Sequence, residues 1–286
     1  LGLIVPILLF LPILWGTAVS LGNLFNDPAY ARADYRGMAA RIADEAHSNA
    51  GIILNAPNQW EVFTYYHRQG APVYPLPKGQ PDPAILEPQL VDIAAEHERL
   101  YAIYWGEDQR DPKRIVERWL DENAFKASEE WVGDVRFVVY AVPDEPALEA
   151  DTNVNLGFGD DIKLQGFTLH STKLSPADIV QVTLFWKTAR TVDRRYKVFL
   201  HLLDEQGNLV AQRDGEPGGG QAITTDWQPG ETIIDNHGLL IPADIGPGFY
   251  TIVMGLYDSS DPSTRLPIKL EGKSQDNWIL GTITVE

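Results

Sequence analysis

The chain has no cysteine among its 286 residues, which excludes disulfides, thiolate nucleophiles and cysteine-ligated metals together. That absence fits a cytoplasm and a bacterial cell exterior equally well, so it leaves the compartment open. Positive charge is scarce: 23 lysines and arginines stand against 40 aspartates and glutamates, for a formal charge of −17. Such a field repels nucleic-acid phosphates and anionic lipid surfaces, and no nucleic acid is expected as a partner. Also missing are a G-x-S-x-G elbow, an H-E-x-x-H pair and a phosphate loop, so nothing marks an independent soluble hydrolase.

What is present reads as a globular chain, 44% hydrophobic and 22% charged, long enough for two modest cores plus an appendage. The appendage comes first. Leu1 to Leu21, "LGLIVPILLFLPILWGTAVSL", carries no charge; at about 1.5 Å per residue it reaches roughly the 30 Å of a bilayer core. Residues 1–22 are therefore expected to be a transmembrane helix, in which Pro6 and Pro12 are tolerated and Trp15 sits at an interface. Two other readings stay open: a signal peptide cleaved after Ala18-Val19-Ser20, and a buried soluble helix. The segment has no basic flank and no leading Met, so the expectation is a sequence cut from something longer.

Residues 26–143 alternate helical and strand signals. Asp34 can cap a helix whose Met38, Ala39, Ile42, Ala43 and Ala46 recur at three- and four-residue spacing. "GIILNA" then reads as a strand buried on both faces. A helix over Glu61 to Arg68 is expected to turn Val62, Phe63 and Tyr66 inward. A strand at "PVYPL", a helix over Pro83 to Glu98, a strand at "LYAIYWG" and a helix over Pro112 to Asn123 follow. A hairpin through Gly133-Asp134 closes the region with an antiparallel edge. The pattern predicts a three-layer α/β sandwich with a mixed sheet.

In open α/β sheets ligands bind where strands end at their carboxyl edge. "NAPNQWEVFTYY", Asn55 to Tyr66, follows the first strand and is the expected pocket. Amides offer paired donors and acceptors and aromatic faces stack on sugar C–H surfaces, so Asn58, Gln59, Trp60, Tyr65 and Tyr66 suit a carbohydrate or a lipid headgroup. The competing reading makes Asn58 a helix cap, Tyr66 core and Trp60 a cover for the sheet edge. "YWGEDQRD", Tyr104 to Asp111, occupies the equivalent place after a later strand; Glu107 and Asp108 there read either as a carboxylate pair or as acids complementing a helix N-terminus.

Residues 144–153 are proline-rich and acidic and read as a linker. Beyond them, 154–286 changes to period two. Val180, Val182, Leu184 and Trp186 alternate with Gln181, Thr183, Phe185 and Lys187, and Tyr196, Val198, Leu200 and Leu202 and Tyr250, Ile252, Met254 and Leu256 repeat the spacing. Turn signals such as "DEQGNLV" and "IGPG" separate the runs, which predicts a β-sandwich of eight or so strands, immunoglobulin-like or jelly-roll-like. Trp227 and Trp278 are candidate glycan platforms. Trp186 reads as core, His201 and His237 as isolated strand-surface residues, and Asp258 and Asp261 as turn acids rather than a calcium site. No metal ligand set is expected.

The order of parts carries a resemblance. A terminal span, then "NDPAYARADYRGMAARIADEA", then "GIILNAPNQWEVFTYYHRQGAPVYPLP" resembles the tail of bacterial multi-span sugar transferases of the dolichyl-phosphate-mannose-protein mannosyltransferase type, glycosyltransferase family 39, over roughly Leu1 to Pro143. The resemblance implies a domain on the exterior face of the cell membrane. Its implied partners are the bilayer, a polyprenyl-phosphate sugar and a glycan or protein acceptor. It implies no cofactor in this part and leaves a divalent metal open for the parent enzyme. The family's catalytic carboxylate lies in an early exterior loop between spans, which no residue here matches, so no catalytic residue is carried over. The β-sandwich is not general to the family and reads as an accessory module. The other reading is a membrane-anchored envelope protein that binds a glycan or protein without catalysis.

Overall fold

The computed structural model describes residues 4–26, 32–270 and 273–286. A first helix, α1 (Ile4–Asn26), contains Pro12 and presents Ile13, Leu14, Trp15, Val19 and Leu21 uncovered. Among the described residues no helix is long and apolar enough to cross a membrane. The expected span of 1–22 reaches outside the described residues.

The α/β unit follows the predicted order with one unpredicted short helix, Glu107–Arg110, added: α2 (Tyr35–Glu45), β1 (Ala50–Asn55), α3 (Trp60–Tyr66), β2 (Val73–Pro75), α4 (Pro83–Glu96), β3 (Arg99–Tyr104), α5 (Glu107–Arg110), α6 (Ile115–Asn123), β4 (Phe125–Val132) and β5 (Val135–Ala141). Asp34 caps α2, its carboxylate accepting from the Gly37 amide at 2.8 Å. Every residue of β1 and of β3 is buried. The sheet runs β2-β1-β3-β5-β4, with β1 parallel to β2 and β3, and β5 antiparallel to β3 and β4. Helices cover both faces. Met38, Ala39 and Ile42 of α2 and Phe63 of α3 pack on Ile52, Leu54, Ile103 and Phe137. Leu86, Leu90 and Ile93 of α4 and Val116 and Leu120 of α6 pack on Ile53, Leu100, Ala102 and Val138. Two inward assignments in α3 fail: Val62 and Tyr66 are 41% and 45% exposed, because a helix of two turns here buries one side chain, Phe63.

The second unit is a β-sandwich built from β6 (Thr152–Phe158), β7 (Ile162–Leu169), β8 (Lys173–Leu174), β9 (Ile179–Thr188), β10 (Tyr196–Leu203), β11 (Leu209–Gly215), β12 (Thr232–Leu240), β13 (Gly248–Asp258), β14 (Asp261–Arg265), β15 (Ile268–Leu270), β16 (Lys273–Gln275) and β17 (Trp278–Val285). One sheet runs β11-β10-β13-β17-β8, with β14 on β13; the other runs β12-β9-β7-β6-β15-β16. Between them lies a core of Val180, Val182, Leu184, Trp186, Val198, Leu200, Ile252 and Met254, the residues that alternate in the sequence. The strands beyond the expected eight are mostly short: β8, β14, β15 and β16 have two to five residues, too few to show a period.

The stretch 144–153 does not hold the units apart. Arg99 of β3 donates to the Ala177 carbonyl at 2.7 Å, and Asn236 donates to the Glu122 carbonyl at 3.4 Å. Ile179 and Leu240 join the core of the α/β unit. At Gly238 a Cβ would come 2.9 Å from the Phe125 carbonyl oxygen and 3.0 Å from the Ala127 Cα, so glycine is what lets β12 lie against β4. This contact explains why Thr183 and Phe185, on the outward face of β9, are buried as well.

Candidate functional site

The parallel pairing of β1 with β2 and β3 brings the loops after all three strands to one edge of the sheet. Asn55, the last residue of β1, braces that edge. Its side-chain amide donates to the Leu76 carbonyl and to Asp111, each at 3.3 Å. Asp111, fully buried, also accepts from the Ile115 and Val116 amides at 2.9 and 3.0 Å. The Trp105 amide donates to the Asn55 carbonyl at 2.7 Å. The floor of the edge is therefore rigid, with its buried polar groups engaged.

Above this floor lies a cleft of about 390 Å³, lined by Pro57 and Asn58 after β1, by Pro77 to Pro81 after β2, and by Gln109 and Arg110 of α5 after β3. Its volume is within the range of small-molecule sites. Asn58, Lys78, Gln80, Gln109 and Arg110 are exposed. Among the described residues none of these five side chains makes a hydrogen bond or ion pair, and no carboxylate lines the cleft.

The candidate residues of Asn55 to Tyr66 separate. Asn58 faces the cleft. Gln59 does not: it is 1% exposed, accepts from the Tyr35 hydroxyl at 3.0 Å and donates to the Ala56 and Ile103 carbonyls at 3.2 and 3.1 Å. Its donors and its oxygen are used in fastening the loop to α2 and β3, which corrects the expectation that it meets a ligand. Trp60 borders a separate depression with Thr64, Arg68 and Val73. Tyr65 and Tyr66 stand exposed on α3, edge to face with centroids 5.0 Å apart, and the Arg68 guanidinium lies 5.4 Å from the Tyr65 ring. The carboxylate pair also divides, since Glu107 accepts from Arg136 at 2.5 Å while Asp108 is exposed.

One of the two sandwich platforms is corrected too. Trp227 is 2% exposed, donates from its indole to the Ala222 carbonyl at 2.7 Å and lies 6.2 Å from Trp186, ring to ring. The segment before it folds back through a short turn, Thr224–Asp226, and inserts the ring into the core. Trp278 is half-buried against the same core. His237 is no strand-surface residue: it is 1% exposed, with Nε2 2.7 Å from Asp235. Asp235 in turn accepts from the Trp186 indole at 2.9 Å and the Gly218 amide at 2.8 Å.

Two polar assemblies escaped the sequence reading. One is the cation pair Lys78 and Arg110, whose signal lay in "PLPKGQP" and "YWGEDQRD", loops after two strands flanking a common neighbour. The other is an ionic cluster between α6, β4 and β5. Arg136 donates to Glu117 at 2.7 and 2.8 Å, to Glu129 at 2.9 Å and to Glu107. Lys126 lies 2.7 Å from Asp121 and 3.6 Å from Glu117. Burial pushes the Glu117 carboxyl up, but Arg136 and Lys126 outweigh it and hold that group below the usual carboxylate range. Burial raises Asp121 to about 6, against the opposing pull of Lys126. This cluster is closed; it has no groups left to offer a ligand beyond one Asp121 oxygen.

A larger cleft, about 770 Å³, opens where the two units meet. Several of its polar groups are already engaged: Arg99 with Ala177, His170 with Thr183 at 3.0 Å, and Asp178 with the Ser175 amide at 2.7 Å.

No protein-family model matches the chain, and no curated protein matches it. Among solved structures, the C-terminal domain of Wzt is similar over 48% of this chain and 82% of its own, at 8% identity and a TM-score of 0.31. A Niemann-Pick type C2 protein from Japanese carpenter ant aligns over 49% of this chain and all of its own, at 7% identity and a TM-score of 0.29. The CARDB domain of the PF1109 protein from Pyrococcus furiosus, in complex with di-metal ions, aligns over 50% of this chain and all of its own, at 13% identity and a TM-score of 0.26. Likenesses this distant carry no functional argument.

Proposed function

We propose that the chain is an exterior part of a membrane glycosyltransferase that moves a sugar from a polyprenyl-phosphate donor to a cell-envelope acceptor, and that the cleft beside Asn58 holds a saccharide. The observation that carries the binding reading is the cleft itself: five side chains with unused hydrogen-bonding capacity converge on a braced carboxyl edge. Sugar hydroxyls present the complementary donors and acceptors. The exposed rings of Trp60, Tyr65 and Tyr66 on the adjoining helix offer C–H stacking surfaces. The transferase reading rests on the resemblance of Leu1 to Pro143, and no residue of this chain is assigned the chemical step. On this reading α1 holds the chain at the membrane, the α/β unit is a three-layer sandwich over the embedded site, and the immunoglobulin-like or jelly-roll-like β-sandwich is an accessory module. With Trp227 and Trp278 packed into or against its core, glycan contact is assigned to the α/β unit.

Titration of the full chain with mannose oligosaccharides, followed by amide NMR shifts, tests the binding. Shifts are expected at Asn58, Lys78 and Gln109, with affinity reduced at least fivefold by Asn58→Ala. A saccharide series that leaves those amides unmoved rejects the proposal. Supplied with a polyprenyl-phosphate mannose donor, the chain alone is expected to transfer no sugar.

A further inference from the structure

We infer that the same cleft is an anion site that takes a phosphate or diphosphate group, with Lys78 and Arg110 as its charge partners and Asn58 and Gln109 as neutral donors. The inference deepens the saccharide reading and rests on it for the sugar that would accompany the phosphate; the charge argument stands on the cleft alone. In a chain with 40 acidic and 23 basic residues, a polar cleft is expected to meet carboxylates, and this one is lined by none. Two cations approach it from separate loops, Lys78 after β2 and Arg110 in α5. Neither has an ion pair among the described residues, in contrast to the buried Arg99, Lys126 and Arg136, which are paired with carboxylates. The exposed Arg36, Lys113 and Arg118 are likewise unpaired, so it is the place of Lys78 and Arg110 on a carboxylate-free cleft that sets them apart.

The nearest acids in sequence do not neutralise them. Asp82 accepts from the Ala84 amide at 3.0 Å, as the cap of α4. Asp111 is committed to Ile115, Val116 and Asn55 beneath the floor. Asp108 is exposed and outside the lining. All four named polar groups can donate. The guanidinium matches phosphate oxygens in a two-pronged geometry, the ammonium adds a point charge, and the side-chain amides supply uncharged N–H groups. Because the whole molecule repels anions at long range, capture here depends on short-range contacts and is expected to discriminate phosphate from chloride.

The test is titration of the full chain, in a neutral detergent at constant ionic strength, with sodium pyrophosphate and separately with farnesyl phosphate, using chloride as control. Saturable shifts at the Lys78, Gly79 and Arg110 amides are expected, with affinity at least tenfold lower in the Lys78→Gln/Arg110→Gln variant. Binding of both ligands identifies the phosphate group itself as what is read; binding of farnesyl phosphate alone identifies a lipid-linked source, and both support the inference. It is overturned if neither ligand saturates, or if the double variant binds unchanged while its unfolding curve matches the parent. The single variant Arg110→Lys keeps the charge but not the planar fork, and intermediate affinity is expected from it. A mannose-oligosaccharide titration of the parent separates the two readings, since saccharide shifts in a parent chain that neither phosphate ligand saturates reject the anion site alone.

Discussion

Glu107 and Arg110 of α5 belong to two polar clusters that differ in what their charges are doing. Glu107 turns inward to Arg136, which also holds Glu117 and Glu129; the guanidinium is nearly enclosed, over the Tyr104 ring at 4.8 Å. Arg110 turns outward to the cleft and meets no carboxylate. The first cluster is buried and nearly saturated, the second exposed and uncommitted. Residue type alone does not distinguish structural charge from available charge; partner count does. A buried ion pair contributes little net stability while it is intact, yet loss of one member strands the other, so disturbing the two clusters should have very different consequences.

The largest effect is expected from Arg136→Ala. It leaves Glu117 buried with Lys126 and the exposed Arg114 as its remaining charge partners, and removal of one member of a buried pair costs about 3–5 kcal/mol. Urea denaturation of the variant should report that loss. A change below about 1 kcal/mol would mean that the cluster is hydrated and resembles the cleft more than the burial suggests.

Asp121 gives the next effect and has a sign opposite to the usual aspartate. Its carboxyl is raised from 3.8 to about 6 in the folded chain, so in that window the folded state holds a proton that the unfolded state has released. The group's contribution to stability is complete below about pH 4 and is lost as pH rises through 6, a swing on the order of 2–3 kcal/mol. The groups facing it are Lys126 of β4, Tyr140 of β5, Glu117 of its own helix and Arg213 of β11. Asp121→Asn should flatten the stability profile between pH 4 and 7 relative to the parent. Parallel profiles for the two proteins would refute the assignment.

The interface between the units offers a third contrast, since packing there is set by backbone approach. Gly238→Ala places a methyl group against the Phe125 carbonyl and Ala127, and overpacking of this kind costs about 1–3 kcal/mol. A lowered Tm with faster proteolysis across 144–150 is the expected outcome. Unchanged protection would show that β12 can shift along β4 without penalty.

Local chemistry was legible in the sequence wherever a short-range pattern determines it. The Asp34 cap, the apolar run Gly51 to Leu54 of β1, the Gly133-Asp134 hairpin and the alternation of Val180 to Trp186 each follow from neighbours within a few residues. What stayed hidden depends on distant partners. Gln59 looks like a ligand amide until Tyr35 and Ile103 are beside it, 24 and 44 residues away in the chain. Trp227 looks like a platform until the loop before it folds inward, and His237 looks solitary although Asp235 is two residues away, because alternation puts both on the same, core-facing side of β12. The cleft was half legible. Asn58 follows from the rule that ligands meet strands at their carboxyl edge, but Lys78 and Arg110 required the strand order β2-β1-β3, which places their loops on either side of β1.

The smallest effect sharpens the comparison most. Because Lys78 and Arg110 are exposed and pair with nothing among the described residues, Lys78→Gln/Arg110→Gln should leave stability within about 0.5 kcal/mol of the parent, as surface substitutions away from special features do. Removing two cations from a chain of net charge −17 takes it to −19, and at physiological ionic strength self-repulsion between exposed charges is screened beyond about 8 Å. Near-neutral stability in this variant, set against the several kcal/mol expected for Arg136→Ala in the same denaturation assay, would separate charge that holds the fold from charge left free at its edge. A loss above about 1 kcal/mol would instead place the cleft cations in the fold's own electrostatics and remove the main reason for reading them as ligand groups.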